Sequence, residues 1–107
     1  MKPNQVVEAR IVADDGQFLG IISRNSVSSD SISNTVGSYG STVSSTSIFN
    51  SVGNYGSSVS SLSPFNSVSS SPPKIVDSNG NFIAYLTKNT IKTPRVDPDD
   101  LKDFLGR

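Results

Sequence analysis

Hydrophobic positions along this chain fall into two regimes. Near each end, apolar runs flank an Asp-Gly or Asn-Gly dipeptide. Ile11-Val12-Ala13 and Phe18-Leu19-Gly20-Ile21-Ile22 surround Asp15-Gly16, and Ile75-Val76 and Phe82-Ile83-Ala84-Tyr85-Leu86 surround Asn79-Gly80. That pattern predicts two β-hairpins, and the positive φ angles of such dipeptides suit a type I′ turn in each. Val6 and Val7 lead into the first hairpin. Between the hairpins, single Val, Ile, Tyr and Phe residues alternate with Ser, Gly and Asn. Apolar stretches there are cut short by turn formers, and Ser, Gly, Val and Asn are weak helix formers, so short strands joined by tight turns are expected. Beyond Thr93-Pro94, Asp97-Pro98-Asp99-Asp100 reads as an N-cap, a proline at the first helical position and an acidic first turn. Leu101, Phe104 and Leu105 share one face and Gly106 is a stop, which predicts a short helix docked on the sheet.

The middle segment is periodic. Asn34-Thr-Val-Gly-Ser-Tyr-Gly-Ser-Thr-Val-Ser-Ser-Thr-Ser-Ile-Phe49 is followed by a second copy from Asn50 to Phe65, a period of 16 residues. A third copy opens at Asn66 and stops at Pro72-Pro73, and a partial one precedes them from Val27 to Ile32. A fixed period indicates stacked units. The two hairpins also match each other, Ile11 to Asn25 against Ile75 to Asn89, at an offset of 64 residues, four periods. The expected architecture is therefore mostly β: a solenoid-like stack of 16-residue units over residues 25–71, flanked by hairpins at 1–24 and 72–92, with a turn and short helix at 93–107, all in one domain. In such a stack Val36, Val43, Val52 and Val59 point inward, serines point outward or bond turn backbone, and Asn34, Asn50 and Asn66 form a ladder at a corner.

Charge sharpens this picture. From Asn25 to Pro73 the only charged residue is Asp30, and 21 of the 49 residues from Ser23 to Ser71 are serine. A disordered linker has such a composition, but a linker needs no phase. Charge crowds into the ends, where the hairpins are expected to cap an uncharged stack whose open β edges would otherwise offer a route to oligomers. Net charge is zero with no basic cluster, which argues against nucleic-acid partners. No stretch approaches the ~20 apolar residues of a spanning helix, so no membrane insertion is expected. The start, Met-Lys-Pro-Asn-Gln, lacks the apolar core of a signal peptide.

The repeat resembles an uncharacterised family of bacterial Tyr/Gly/Asn/Ser-rich repeat proteins with the pattern N-x-Y-G-x-Y-G-S-x-Y-S-x-x-S-I-x-N. Asn34, Gly37, Tyr39-Gly40-Ser41, Ser44, Ser47-Ile48 and Asn50 carry the likeness, with their equivalents one period on, Pro72-Pro73, Asp77 and Gly80. It covers residues 14–91. The resemblance implies an exported or cell-envelope setting and no particular activity. The family often has tyrosine where this chain has Val27, Val36, Val43, Val52, Val59 and Val68.

Candidate chemistry is sparse. Without histidine or cysteine there is no Ser-His-Asp triad and no thiol nucleophile. Gly37-Ser-Tyr-Gly40 lacks the lysine and helix of a phosphate loop. Asp77-Ser-Asn-Gly80 lacks the later carboxylates of a calcium loop, and a hairpin turn explains it. No catalytic residue, metal ligand or cofactor is assigned, and the chain is read as a non-enzyme. Tyr39, Tyr55, Asn34, Asn50 and Asn66 form the candidate binding face, although repeated tyrosines in a repeat protein more often serve packing. The expected function is a structural or protein-interaction module meeting another protein or an envelope component. The alternative is a polysaccharide- or ice-binding module using the Ser/Thr/Asn/Tyr face.

Overall fold

The computed structural model describes all residues, Met1–Arg107. Its regular secondary structure is mostly β. Strands β1 (Arg10–Val12), β2 (Phe18–Ile21), β3 (Lys74–Val76), β4 (Phe82–Leu86) and β5 (Arg95–Val96) make one open mixed sheet in the order β2-β1-β3-β4-β5, followed by one short helix, α1 (Pro98–Leu105). No helix is long and apolar enough to cross a membrane.

Both hairpins form where the apolar runs place them, with a different turn. Gly16 N–H donates to Ala13 O at 2.9 Å and Ala13 N–H to Gln17 O at 2.9 Å. Asp77, Gly80 and Asn81 repeat this arrangement. Only the glycine of each turn has positive φ, 89° at Gly16 and 85° at Gly80. Each loop is thus a type I turn closed by a left-handed glycine, not the type I′ turn, which needs positive φ at two successive residues.

The hairpins do not sit at opposite ends of a stack. β1 pairs antiparallel with β3, and Ile11 faces Ile75, its own equivalent 64 residues on. Arg10 faces Val76 and Val12 faces Lys74, so the pairing is symmetric about the Ile11–Ile75 pair. The relation extends outward. Tyr85 pairs parallel with Arg95, and the matching residues of the first half, Ile21 and Ser31, form an isolated parallel bridge. The shared sequence therefore builds a pseudo-twofold sheet, and the hairpins close the molecule at its middle. This replaces the expected capping role: β1 and its twin β3 share one pattern, a cation, a buried isoleucine and a valine, and pairing them brings the two buried isoleucines face to face.

The expected strands within the repeats are absent; the segment runs as successive turns. Gly37 N–H donates to Asn34 O, Ser41 to Gly37, Ser44 to Ser41, Ser47 to Ser44 and Asn50 to Ser47, at 3.0–3.4 Å. The same five bonds then recur from Asn50 to Asn66. From Ser31 to Ser69, at the turns that open on Asn or Ser, the side-chain oxygen accepts the N–H two residues on, as Asn50 Oδ1 does from Val52 at 3.2 Å and Ser47 Oγ from Phe49 at 3.1 Å. These local acceptors compete with a strand ladder for the backbone donors, and here they win.

The inward and outward positions also differ from the simple alternation. Val36, Val43, Val52 and Val59, expected in the core, are exposed, as are Val27 and Val68. Each is the residue whose N–H bonds the side-chain oxygen of the Asn or Ser two positions before it, and its own side chain is left in solvent. The repeats instead bury Ile32, Ile48 and Pro64, one per period, each next to a buried serine, Ser31, Ser47 or Ser63. Ile32 and Ile48 join Val6, Ile11, Leu19, Ile22, Ile75, Leu86, Val96 and Leu101 in one hydrophobic core. No buried side-chain polar atom lacks a hydrogen-bond partner, so the buried hydroxyls carry no desolvation penalty of the unpaired kind.

Helix α1 has the expected ends. Asp97 Oδ1 accepts Asp99 N–H at 2.8 Å, Pro98 follows, and Gly106 closes the helix at φ 77°. Leu101 is fully buried and docks it on the core.

Candidate functional site

The residues of the expected binding face turn inward. Tyr39 packs edge-on against Phe18 of β2, with ring centroids 5.0 Å apart. Tyr55 donates its hydroxyl to Asp15 Oδ2 in the first hairpin turn at 2.7 Å. That bond, with the Gln17 N–H, holds the Asp15 carboxyl below the ordinary carboxylate range and pushes the Tyr55 phenol above its own. Both tyrosines thus fasten repeats to a hairpin. Asn34, Asn50 and Asn66 use the whole side-chain amide on backbone. Besides accepting from the residue two ahead, their Nδ2 groups donate to Ser28 O, Ser44 O and Ser60 O, six residues back, at 3.1–3.2 Å. They form the periodic series the sequence predicts, and it is a series of internal ties.

The glycines show why these ties leave no slack. A Cβ on Gly40 would lie 2.1 Å from Asn34 O, and one on Gly56 would lie 2.1 Å from Asn50 O. The backbone passes so close to the asparagine carbonyl that only glycine fits, without any need for positive φ.

What the repeats present to solvent is a different set. Val27, Val36, Val43, Val52, Val59 and Val68 are 82–91% exposed. The residue before each, Ser26, Thr35, Thr42, Ser51, Ser58 or Ser67, is exposed too. Ile91 occupies the matching place after the second hairpin: its N–H bonds Asn89 Oδ1 at 3.1 Å, as that of Val27 bonds Asn25 Oδ1 at 2.9 Å, and it is likewise exposed. Sequence reasoning missed this surface because it assigned side chains by strand alternation. The signal was there in the constant placement of valine two residues after Asn or Ser.

A second feature lies where α1 meets the repeats. A cleft of about 370 Å³ opens there, lined by Phe49 and Phe65 with Arg107 and Lys102 over their rings, and by the hydroxyl residues Thr42, Ser51 and Ser58. The Arg107 guanidinium carbon stands 3.9 Å from the Phe49 ring centroid and Lys102 Nζ 5.8 Å from that of Phe65. Arg107 Nη1 also donates to Ile32 O at 2.8 Å, and partial burial pushes its pKa down.

No group of three or more His, Cys, Asp or Glu side chains comes together to hold a metal. Asp77 is occupied as a turn residue: its Oδ1 accepts the Asn79 and Asn81 N–H groups at 2.8 and 2.9 Å, and these bonds lower its pKa. At the start of α1, Lys88 reaches the capping Asp97 at 3.3 Å and also contacts Asp99.

Comparison of the chain with family models, with curated proteins and with solved structures finds no match.

Proposed function

We propose that this chain is a non-enzymatic interaction module. Residues 25–71 act as a short solenoid-like stack of 16-residue units, and the exposed valines are its contact surface for another protein or a component of the bacterial cell envelope. One observation carries the reading: six valines each stand two residues after an Asn or Ser whose side chain holds their N–H, and all of them are solvent-exposed. Single exposed apolar residues are ordinary on a protein surface, but an array of them marks an interaction site. Their spacing alternates between nine and seven residues. The mean, eight, equals the span over which Thr46 Oγ1 reaches back to Ser38 O and Ser69 Oγ to Ser61 O. If the chain winds once in that span, the valines line up on one side of the coil, away from Tyr39 and Tyr55. The resemblance to bacterial repeat proteins supports the envelope setting.

The triple variant Val36→Asn, Val52→Asn, Val68→Asn tests this. It leaves core and turn bonds in place, so its melting temperature should match that of the parent. The parent chain should cosediment with isolated bacterial envelopes and the variant should remain in the supernatant. Equal cosedimentation of the two overturns the reading.

A second reading, binding to polysaccharide or ice, is favoured by the exposed Ser or Thr before each valine, which sets hydroxyl and methyl groups side by side at a fixed period. Ice-recrystallisation and insoluble-glycan pull-down assays on the same two proteins separate it from the first.

A further inference from the structure

The cleft between α1 and the repeats includes none of the exposed valines, although its hydroxyl residues Thr42, Ser51 and Ser58 directly precede three of them. Its cations pair with no Asp or Glu side chain. All three ion pairs of the molecule, Lys88–Asp97, Lys88–Asp99 and Arg95–Asp97, involve other cations, and no Asp or Glu side chain lines the cleft. The repeat wall adds no charge, since no charged residue lies between Asp30 and Lys74. Lys102 and Arg107 are positioned by aromatic rings, which attract a cation without cancelling its charge. Arg107 is further fixed by its bond to Ile32 O, leaving guanidinium donors for a ligand. Thr42, Ser51 and Ser58 supply hydroxyls that both donate and accept, and the volume falls in the range of small-molecule sites.

Two cations, three hydroxyls and apolar walls are complementary to a small polyhydroxylated anion. We propose that this cleft binds an acidic sugar unit, with the carboxylate or sulfate between Lys102 and Arg107 and the sugar hydroxyls against Thr42, Ser51 and Ser58. The assignment does not depend on the valine surface.

Amide NMR titration of the full chain with digalacturonate in low salt tests it, with neutral digalactose and inorganic sulfate as parallel arms. Digalacturonate should shift amides around Thr42, Ser51, Gly56 and Ser58, with saturation at millimolar concentration or below. The half-exposed Lys102→Gln variant, which leaves Leu101 and the helix caps untouched, should weaken binding about tenfold, the size of one charge-assisted contact. The triple valine variant should bind as the parent does. Absence of saturable shifts overturns the proposal. So does equal binding of digalactose, which removes the role of the charge, or equal binding of sulfate alone, which removes the role of the sugar. Undiminished binding to Lys102→Gln overturns the placement between the two cations.

Discussion

Asn50 shows how one side chain sets local structure here. Its Oδ1 holds the Val52 N–H and its Nδ2 reaches Ser44 O, so one amide closes its own turn and ties the previous coil. Asn50→Ala should cost about 1–3 kcal/mol by leaving those backbone groups unpaired, read as a fall in denaturant midpoint. Gly40→Ala should cost at least ~2 kcal/mol, because its methyl would overlap Asn34 O. By contrast, Val43→Asp should change stability by no more than about 0.5 kcal/mol, since Val43 is exposed. If it instead costs as much as Gly40→Ala, Val43 is not where the structure places it. Ile48→Ala, at a fully buried position, should cost about 2–5 kcal/mol in the same assay.

At the scale of elements, polar anchors hold the pieces together, and they titrate. Asp15 and Asp97 both have lowered carboxyl pKa values in the fold. The Tyr55 hydroxyl leads at Asp15; at Asp97, burial acts upward and is outweighed by the Asp99 N–H and the Lys88 ammonium. A lowered carboxyl pKa gives stability that is present above the ordinary value near ~4 and lost as pH falls through the folded value. Lys88 and Tyr55 are raised, so their contributions are present below their ordinary values near ~10 and lost as pH rises through the folded ones. Melting temperature should therefore fall at both extremes of pH. Tyr55→Phe should flatten both limbs, since it removes the partner that shifts Asp15 and the phenol itself. A Tyr55→Phe profile parallel to that of the parent would show that this bond does not couple the repeat to the first hairpin.

For the whole molecule, the decisive contact is between the two hairpins. Because β1 lies inside the sheet and Val6, Ile11, Leu19 and Ile22 belong to the common core, removing residues 1–23 should unfold the chain. The circular dichroism of the truncated chain should show no cooperative melt. A folded truncated chain, whether monomeric or fibrillar, would mean that the repeats are stable without the sheet. Sheet edges offer little to a second copy. β5 has two residues, and the outer side of β2 is met at Ile21 by Ser31. Short and covered edges resist pairing with other chains.

Read locally, the sequence determined the hairpins, the helix with its Asp97 cap and Gly106 stop, the 16-residue period, and the equivalence of the two flanks. These features depend on neighbours within a few residues, whose turn and cap chemistry is written in the chain. It also marked Asn34, Asn50 and Asn66 as a periodic set. Tertiary structure alone decided which side of each turn faces the core. Valine is the most frequent apolar residue of the repeat, so burial by residue type pointed inward; the turn bonds made by Asn and Ser fix the backbone and leave valine in solvent, with Ile32, Ile48 and Pro64 filling the interior. Pairing of β1 with β3 was equally illegible, because two identical patterns can face each other or stand apart with the same sequence. The cleft followed from that closure, since it exists only where Lys102 of α1 and Arg107 just beyond the helix come back against Phe65 and Phe49 from a distant part of the chain.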